Sequence, residues 1–376
     1  MAKRIVFAVL LILGLGGFLA VPVIVGVSQT LEAIGTAGVL CIVAYVLNAS
    51  IVLVVPGISW WILMRTSDMK VSLADALRAN FMGFPVNFIT PSAYLGGEPV
   101  KALYISNKYG IPASRVLGTL IIGKFQEVVG LVLLMVVSAA GVIFYSDIVS
   151  KRDEVAMLVA LGVIGALFLA FILAYSTNFK PIARFLSLFA VGKTPKRRLA
   201  NLIHSAEVME QTIRDAFIKR WKSFLASGAV ALLSAVSILM RLPLFIWFTP
   251  GSHHLEPSHV FLIYFATNLV NIFQIIPGNL GVLDGTILLV FSQTGLEAQD
   301  AAAYAVVGRI ADAVLLVFGA WLLAHYGLSR YMRPKETQEL KRVQTQAFVV
   351  GADGVRRPRE KAEDENRKAE ERESGG

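Results

Sequence analysis

Two short stretches carry charge where charge is costly. Lys124 and Glu127 sit in GKFQEVVGLVLL, inside the apolar run 116–145; Arg309 and Asp312 sit in GRIADAVLLVFG, 185 residues further on. A charge at the centre of a bilayer costs about 2.5–3.5 kcal/mol even on lenient insertion scales, so four such groups cannot face lipid. The i, i+3 spacing puts each base and acid on one helix face, about one turn apart. Two readings stand side by side. Each pair is a structural lock between helices, or it is a polar station on a transport pathway. In the second case Lys124 and Arg309 hold a head group while Glu127 and Asp312 balance charge or carry protons.

A second constellation surrounds broken apolar runs. NFITPSAYLGGEPVKAL contains Pro91, Gly96, Gly97, Glu98, Pro99 and Lys101, and NIFQIIPGNLGVLDGTILLV contains Pro277, Gly278, Gly281 and Asp284. Glycines permit a tight turn and Pro99 suits the first position of a helix. Each run then presents a half-helix N-terminus suited to an anion such as a lipid phosphate. Glu98 and Asp284 either cap those helices or take part in the site, and spacing leaves both roles open. Lys101 either binds phosphate or snorkels to the cytoplasmic interface. Arg241 reads as a snorkelling residue near the external surface.

The elements that must position these groups are helices. Of 376 residues 56% are hydrophobic and 16% charged, which places the chain in the membrane class. Six spans are expected at 5–27, 38–64, 116–145, 155–175, 222–249 and 301–326. Segments 72–107 and 259–292, the two broken runs, fit re-entrant hairpins, since non-helical backbone at that depth needs protein or a water-filled cavity around it. Thirty of the thirty-five Lys and Arg fall in 1–4, 65–78, 101–115, 176–222 and 329–376, while 28–37, 250–258 and 292–300 hold none. The positive-inside rule puts the first group, and both termini, in the cytoplasm of a multi-pass protein of the cell's inner (plasma) membrane.

The halves correspond in order: Pro91 with Pro277, Gly96 with Gly281, Glu98 with Asp284, Gly110 with Gly295, and Pro56 with Pro243. The expected architecture is an all-α polytopic membrane protein, an inverted repeat of residues 1–150 and 155–328, with a charged, disordered tail at 329–376. Interrupted segments at matching positions of an inverted repeat point to a transport site. The +9 net charge reads as a cytoplasmic surface facing anionic lipid, with linker 176–222 supplying a surface helix.

Other chemistries find little support. Cys41 is the single cysteine, so neither an intrachain disulfide nor a redox motif is available. His253, His254 and His259 fall together, without metalloprotease spacing, and read as solvated loop histidines. No metal, cofactor or nucleic-acid motif appears, and no GxSxG, P-loop or DxD-like cluster supports an enzyme.

TPSAYLGGEPVKAL with GTLIIGKFQEVVGLVLLMVV, and later IIPGNLGVLDG, resembles the lysylphosphatidylglycerol synthase transmembrane-region family, flippase-like proteins related to multiple-peptide-resistance factors. The resemblance covers about 5–328, and the family pattern falls on Glu98, Lys101, Lys124, Glu127 and Arg309. Asp284 stands where a Glu is usual. The soluble aminoacyltransferase domain is not seen in this sequence, so the resemblance implies lipid translocation rather than lysyl transfer. A non-transporting partner of a lipid or cell-envelope enzyme is the competing class, and an integral-membrane transferase is a third.

Overall fold

The computed structural model describes residues 19–90, 95–145, 149–177, 179–189, 197–249, 255–274, 276–326, 348–350 and 356–358. Met1–His325 form one unit and Tyr326–Gly376 another. In the second, Phe348–Val350 pairs antiparallel with Arg356–Pro358; the rest of the tail, expected to be disordered, lies outside the described residues.

The first unit is built of helices. Among the described residues, five are long and apolar enough to cross a membrane: α1 (Val27–Thr66), α4 (Ala113–Tyr145), α5 (Lys151–Ser176), α8 (Trp221–Leu239) continued by α9 (Arg241–Trp247), and α12 (Ala298–His325). They match the five expected spans from 38–64 onward. The expected first span, 5–27, lies mainly outside the described residues. Residues 28–37, read as an external connection from their lack of basic groups, are helical and join the span at a bend, where Gly38 takes φ 75°. Thr30, Ala33 and Ala37 bury one face there, at the spacing of a helix packed on one side.

Both broken runs fold as pairs of short helices. The first comprises α2 (Leu73–Ile89) and α3 (Glu98–Tyr109); the second comprises α10 (Pro257–Ile272) and α11 (Val282–Thr294), with a 3₁₀ turn at Pro277–Asn279. Gly110 and Gly295 end α3 and α11 in the left-handed conformation, with φ 68° and 72°. Packing between the halves is reciprocal. Span α12 lies on α2 of the first hairpin, α4 lies on α10 of the second, and α1 lies against α8.

Burial is inverted relative to a soluble domain. Span α5 exposes Val155, Leu158, Val159, Val163, Leu167 and Leu169, whereas Asn48, Asn80, Asn87, Glu98, Lys101, Gln126 and Asp284 are buried. Several polar groups inside are matched across spans. Gln126 of α4 bonds Ser227 Oγ and the Phe224 carbonyl, and Ser59 of α1 donates to the Ser227 carbonyl, knotting three spans together. Pro56 lacks the N–H that would bond the Val52 carbonyl, and Ser234 of α8 donates to that oxygen instead.

Helix α7 (Arg197–Ile218), expected to lie on lipid, packs along α4 and buries Ala206, Ile213 and Ala216. Its apolar stripe is thus covered by protein on that face. Buried Glu210 accepts from the Ile182 and Ala183 N–H groups, holding the start of α6 (Pro181–Ser187) against α7.

Candidate functional site

The charged helices gather around one cavity of about 460 Å³. Lys124 and Glu127 reach it from α4, Arg309 and Asp312 from α12, and Lys101 from α3. Asn80, Asn87, Asn268 and Asn271 add amides, while Phe84, Phe88, Phe125, Phe168 and Phe171 give it an apolar side. Groups 185 residues apart in the chain therefore share one space.

Each pair has its own geometry. Lys124 Nζ donates to Glu127 Oε2 at 2.6 Å, and these side chains are 19% and 24% exposed. Lys101 Nζ donates to Glu98 Oε1 at 3.0 Å, with both groups buried. The other Glu98 carboxylate oxygen has no hydrogen-bond partner among the described residues. Lys101 is thus an interior group rather than a snorkelling one.

In the second half the bonding is less local. Arg309 donates from Nε to Asp284 Oδ1 at 3.0 Å and from Nη2 to Asp284 Oδ2 at 2.9 Å, a two-bond fork on the carboxylate. It also donates to the Gly278 carbonyl at 2.9 Å and the Asn279 carbonyl at 3.3 Å, at the hairpin turn. Asp312, its i+3 neighbour, stands further off at 3.6 Å. Asp284 additionally accepts from the Gly281 N–H at 2.8 Å, so it does cap α11. Among the described residues, no such side-chain cap is made by Glu98.

The turns fit their residues. Gly281 has φ 76° and Gly278 has φ 61°, where a side chain would also run into the Phe88 ring. At Gly97 a Cβ would collide with the Gly83 carbonyl, and the Gly97 N–H donates to Asn87 Oδ1 at 2.6 Å, which seats α3 on α2. Gly96 precedes it in the turn, Pro99 lies in the first turn of α3, and Pro277 opens the 3₁₀ turn. Pro91 lies outside the described residues.

At its far end the first hairpin is closed by Asp75. This buried carboxylate accepts from Lys108 at 2.6 Å, Tyr109 at 2.6 Å, Tyr104 at 2.9 Å and Ser72 at 2.8 Å. Burial pushes its pKa up, but those donors outweigh burial and hold it below the usual carboxylate range. Burial and the Asp75 bond raise the Tyr104 hydroxyl to about 12. The contribution of ionised Asp75 to stability is therefore present above the ordinary Asp range and is lost only as pH falls through its depressed pKa. No sequence motif marked this latch; the serine three residues before an acid at a helix start was its signal.

Two sequence expectations are corrected. Arg241 is not at an outer surface. It lines the cavity, at the break between α8 and α9. The neighbouring Pro243 cannot continue the hydrogen-bond ladder, so the chain turns there and aims the side chain inward. His259 is buried at the start of α10 rather than solvated, and His253 and His254 lie outside the described residues.

Comparison with known proteins finds a membrane-protein family and its relatives. The model of the lysylphosphatidylglycerol synthase TM region matches residues 5–319. A UPF0104 membrane protein of Methanothermobacter thermautotrophicus is 24% identical over 86% of this chain and 94% of its own length. Another, from Pyrococcus horikoshii, is 25% identical over 76% of this chain and 86% of its own. No solved structure matches. With five apolar spans and a family match over most of its length, the chain is a multi-pass membrane protein belonging to the lysylphosphatidylglycerol synthase transmembrane-region family.

Proposed function

We propose that this protein moves an amphipathic lipid with an anionic or glycosylated head group between membrane leaflets. The observation that carries the reading is the cavity, polar on the sides where both halves contribute charge and apolar beside the Phe125, Phe168 and Phe171 rings. Its volume of about 460 Å³ falls in the ~300–1,000 Å³ range of small-molecule sites and suits a head group, with the chains left outside. The reciprocal packing of hairpins and spans supports an inverted repeat, which would supply alternating access. Lys124 and Glu127 are the polar station here, since both line the cavity and remain partly exposed to it.

Reconstitution tests this. In proteoliposomes carrying head-group-labelled phosphatidylglycerol or a labelled glycolipid, wild type speeds transfer of at least one between leaflets. Lys124→Met with Glu127→Leu, which leaves no orphan charge, abolishes transfer while retaining the fold. A scaffold would tolerate that replacement. Empty-vesicle rates with wild type for every lipid, together with full complementation by the double variant, would sink the proposal.

The charge distribution supports an inner-membrane orientation with both termini cytoplasmic. Single cysteines replacing Thr294 and Lys108 then label from opposite sides, Thr294 from outside and Lys108 only after permeabilisation. Labelling of both from one side contradicts it.

A further inference from the structure

Among the described residues, every lysine and arginine that lines the cavity has a carboxylate within hydrogen-bonding distance, with one exception. Lys101 is held by Glu98, Lys124 by Glu127 and Arg309 by Asp284. Arg241 makes a single bond among the described residues, from Nε to Asn48 Oδ1 at 3.3 Å. Asn48 is itself fixed, donating from Nδ2 to the Ser237 carbonyl and hydroxyl, both at 2.9 Å. The stem of Arg241 is therefore anchored, and the two terminal nitrogens of its fork are left to the cavity.

We propose that Arg241 is the anion-binding residue of this protein and that it takes a phosphate group carried into the cavity. A guanidinium fork bonds a phosphate through two parallel N–H donors and is more weakly hydrated than an ammonium, so less is lost on binding inside a protein. Asn271, from the second hairpin, faces the same space. Its Oδ1 accepts from Asn279 Nδ2 at 3.0 Å, and its own amide donors make no hydrogen bond among the described residues. The carboxylate of Asp312 also lies there, beyond pairing distance from Arg241. It opposes tight binding, a property a translocation site needs if it is to release its cargo. Lys101 and Arg309, both held by buried carboxylates, serve as braces. That the phosphate belongs to a lipid rests on the reading above; that Arg241 binds it does not.

Purified full-length protein is titrated with three probes: phosphatidic acid, diacylglycerol with the same chains, and inorganic phosphate. Wild type binds phosphatidic acid at least tenfold more tightly than diacylglycerol. Arg241→Gln, which can still donate to Asn48, loses about ten- to hundredfold for phosphatidic acid with diacylglycerol binding unchanged. Arg241→Lys, which keeps charge without the fork, falls between, and Asp312→Asn binds more tightly than wild type. Thermal unfolding of each variant establishes that it is folded; should Arg241→Gln fail, Arg241→Lys and Asp312→Asn carry the test. Inorganic phosphate bound as tightly as phosphatidic acid, and lost in Arg241→Gln, supports the anion site and overturns its lipid source. Equal binding of phosphatidic acid by wild type and the Arg241 variants overturns the proposal and leaves Arg241 as a distant counter-charge to Asp312.

Discussion

The two hairpins hold their acids in opposite ways. Glu98 is bonded to Lys101, one turn away on its own helix, and half of its carboxylate has no partner among the described residues. Asp284 is bonded on both oxygens, by Arg309 from the neighbouring span and by the Gly281 N–H of its own turn. A local pair travels with its helix and does not resist displacement of that helix. A tertiary fork fastens the second hairpin to α12. Similar sequence patterns thus yield one acid tied within its hairpin and one tied across elements, and the asymmetry assigns Arg309 to architecture more than to ligand.

A graded series tests that contrast by thermal or denaturant unfolding in detergent. Arg309→Met has the largest expected effect, about 3–5 kcal/mol, because it leaves Asp284 buried without its cation and frees two carbonyls at the turn. Asp284→Asn comes next, at about 2–3 kcal/mol, since a charge-assisted fork becomes a neutral contact. Glu98→Gln is smallest, about 1 kcal/mol, because the amide oxygen still accepts from Lys101 and one carboxylate oxygen was already unpaired. Equal losses for Asp284→Asn and Glu98→Gln would erase the difference between the halves.

Much of the scaffold was legible in the sequence. Long apolar runs give spans because a spanning backbone must satisfy its own hydrogen bonds, and Pro with Gly inside such runs must mark breaks. The charged pairs were legible for the same reason, since Lys124 and Arg309 could not face lipid. What stayed hidden was which acid each base chooses. The i, i+3 rule found Lys124–Glu127, yet it paired Arg309 with Asp312 rather than Asp284, and the Lys101–Glu98 pair was not read at all. The choice follows from hairpin α10–α11 folding back against α12, a contact 25 residues long in sequence that no periodicity encodes. Arg241 was misplaced because Pro243, although matched with Pro56 as a break, was not used to ask where the side chain two residues before it would point. Its signal was the proline two residues on, paired with an Asn in another span.

The central claim is that a head group passes through the space between the halves, and Val128 offers direct access to it. This residue lines the cavity from α4, and the chain's single native cysteine, Cys41, is fully buried, so unsubstituted protein treated with the same reagent serves as the control. Proteoliposomes holding Val128→Cys, assayed for leaflet-to-leaflet lipid transfer before and after stoichiometric reaction with a bulky maleimide, supply their own folding control. The account predicts transfer near the wild-type rate before labelling and the empty-vesicle rate after it. Transfer that continues unchanged in fully labelled protein would contradict passage through this cavity.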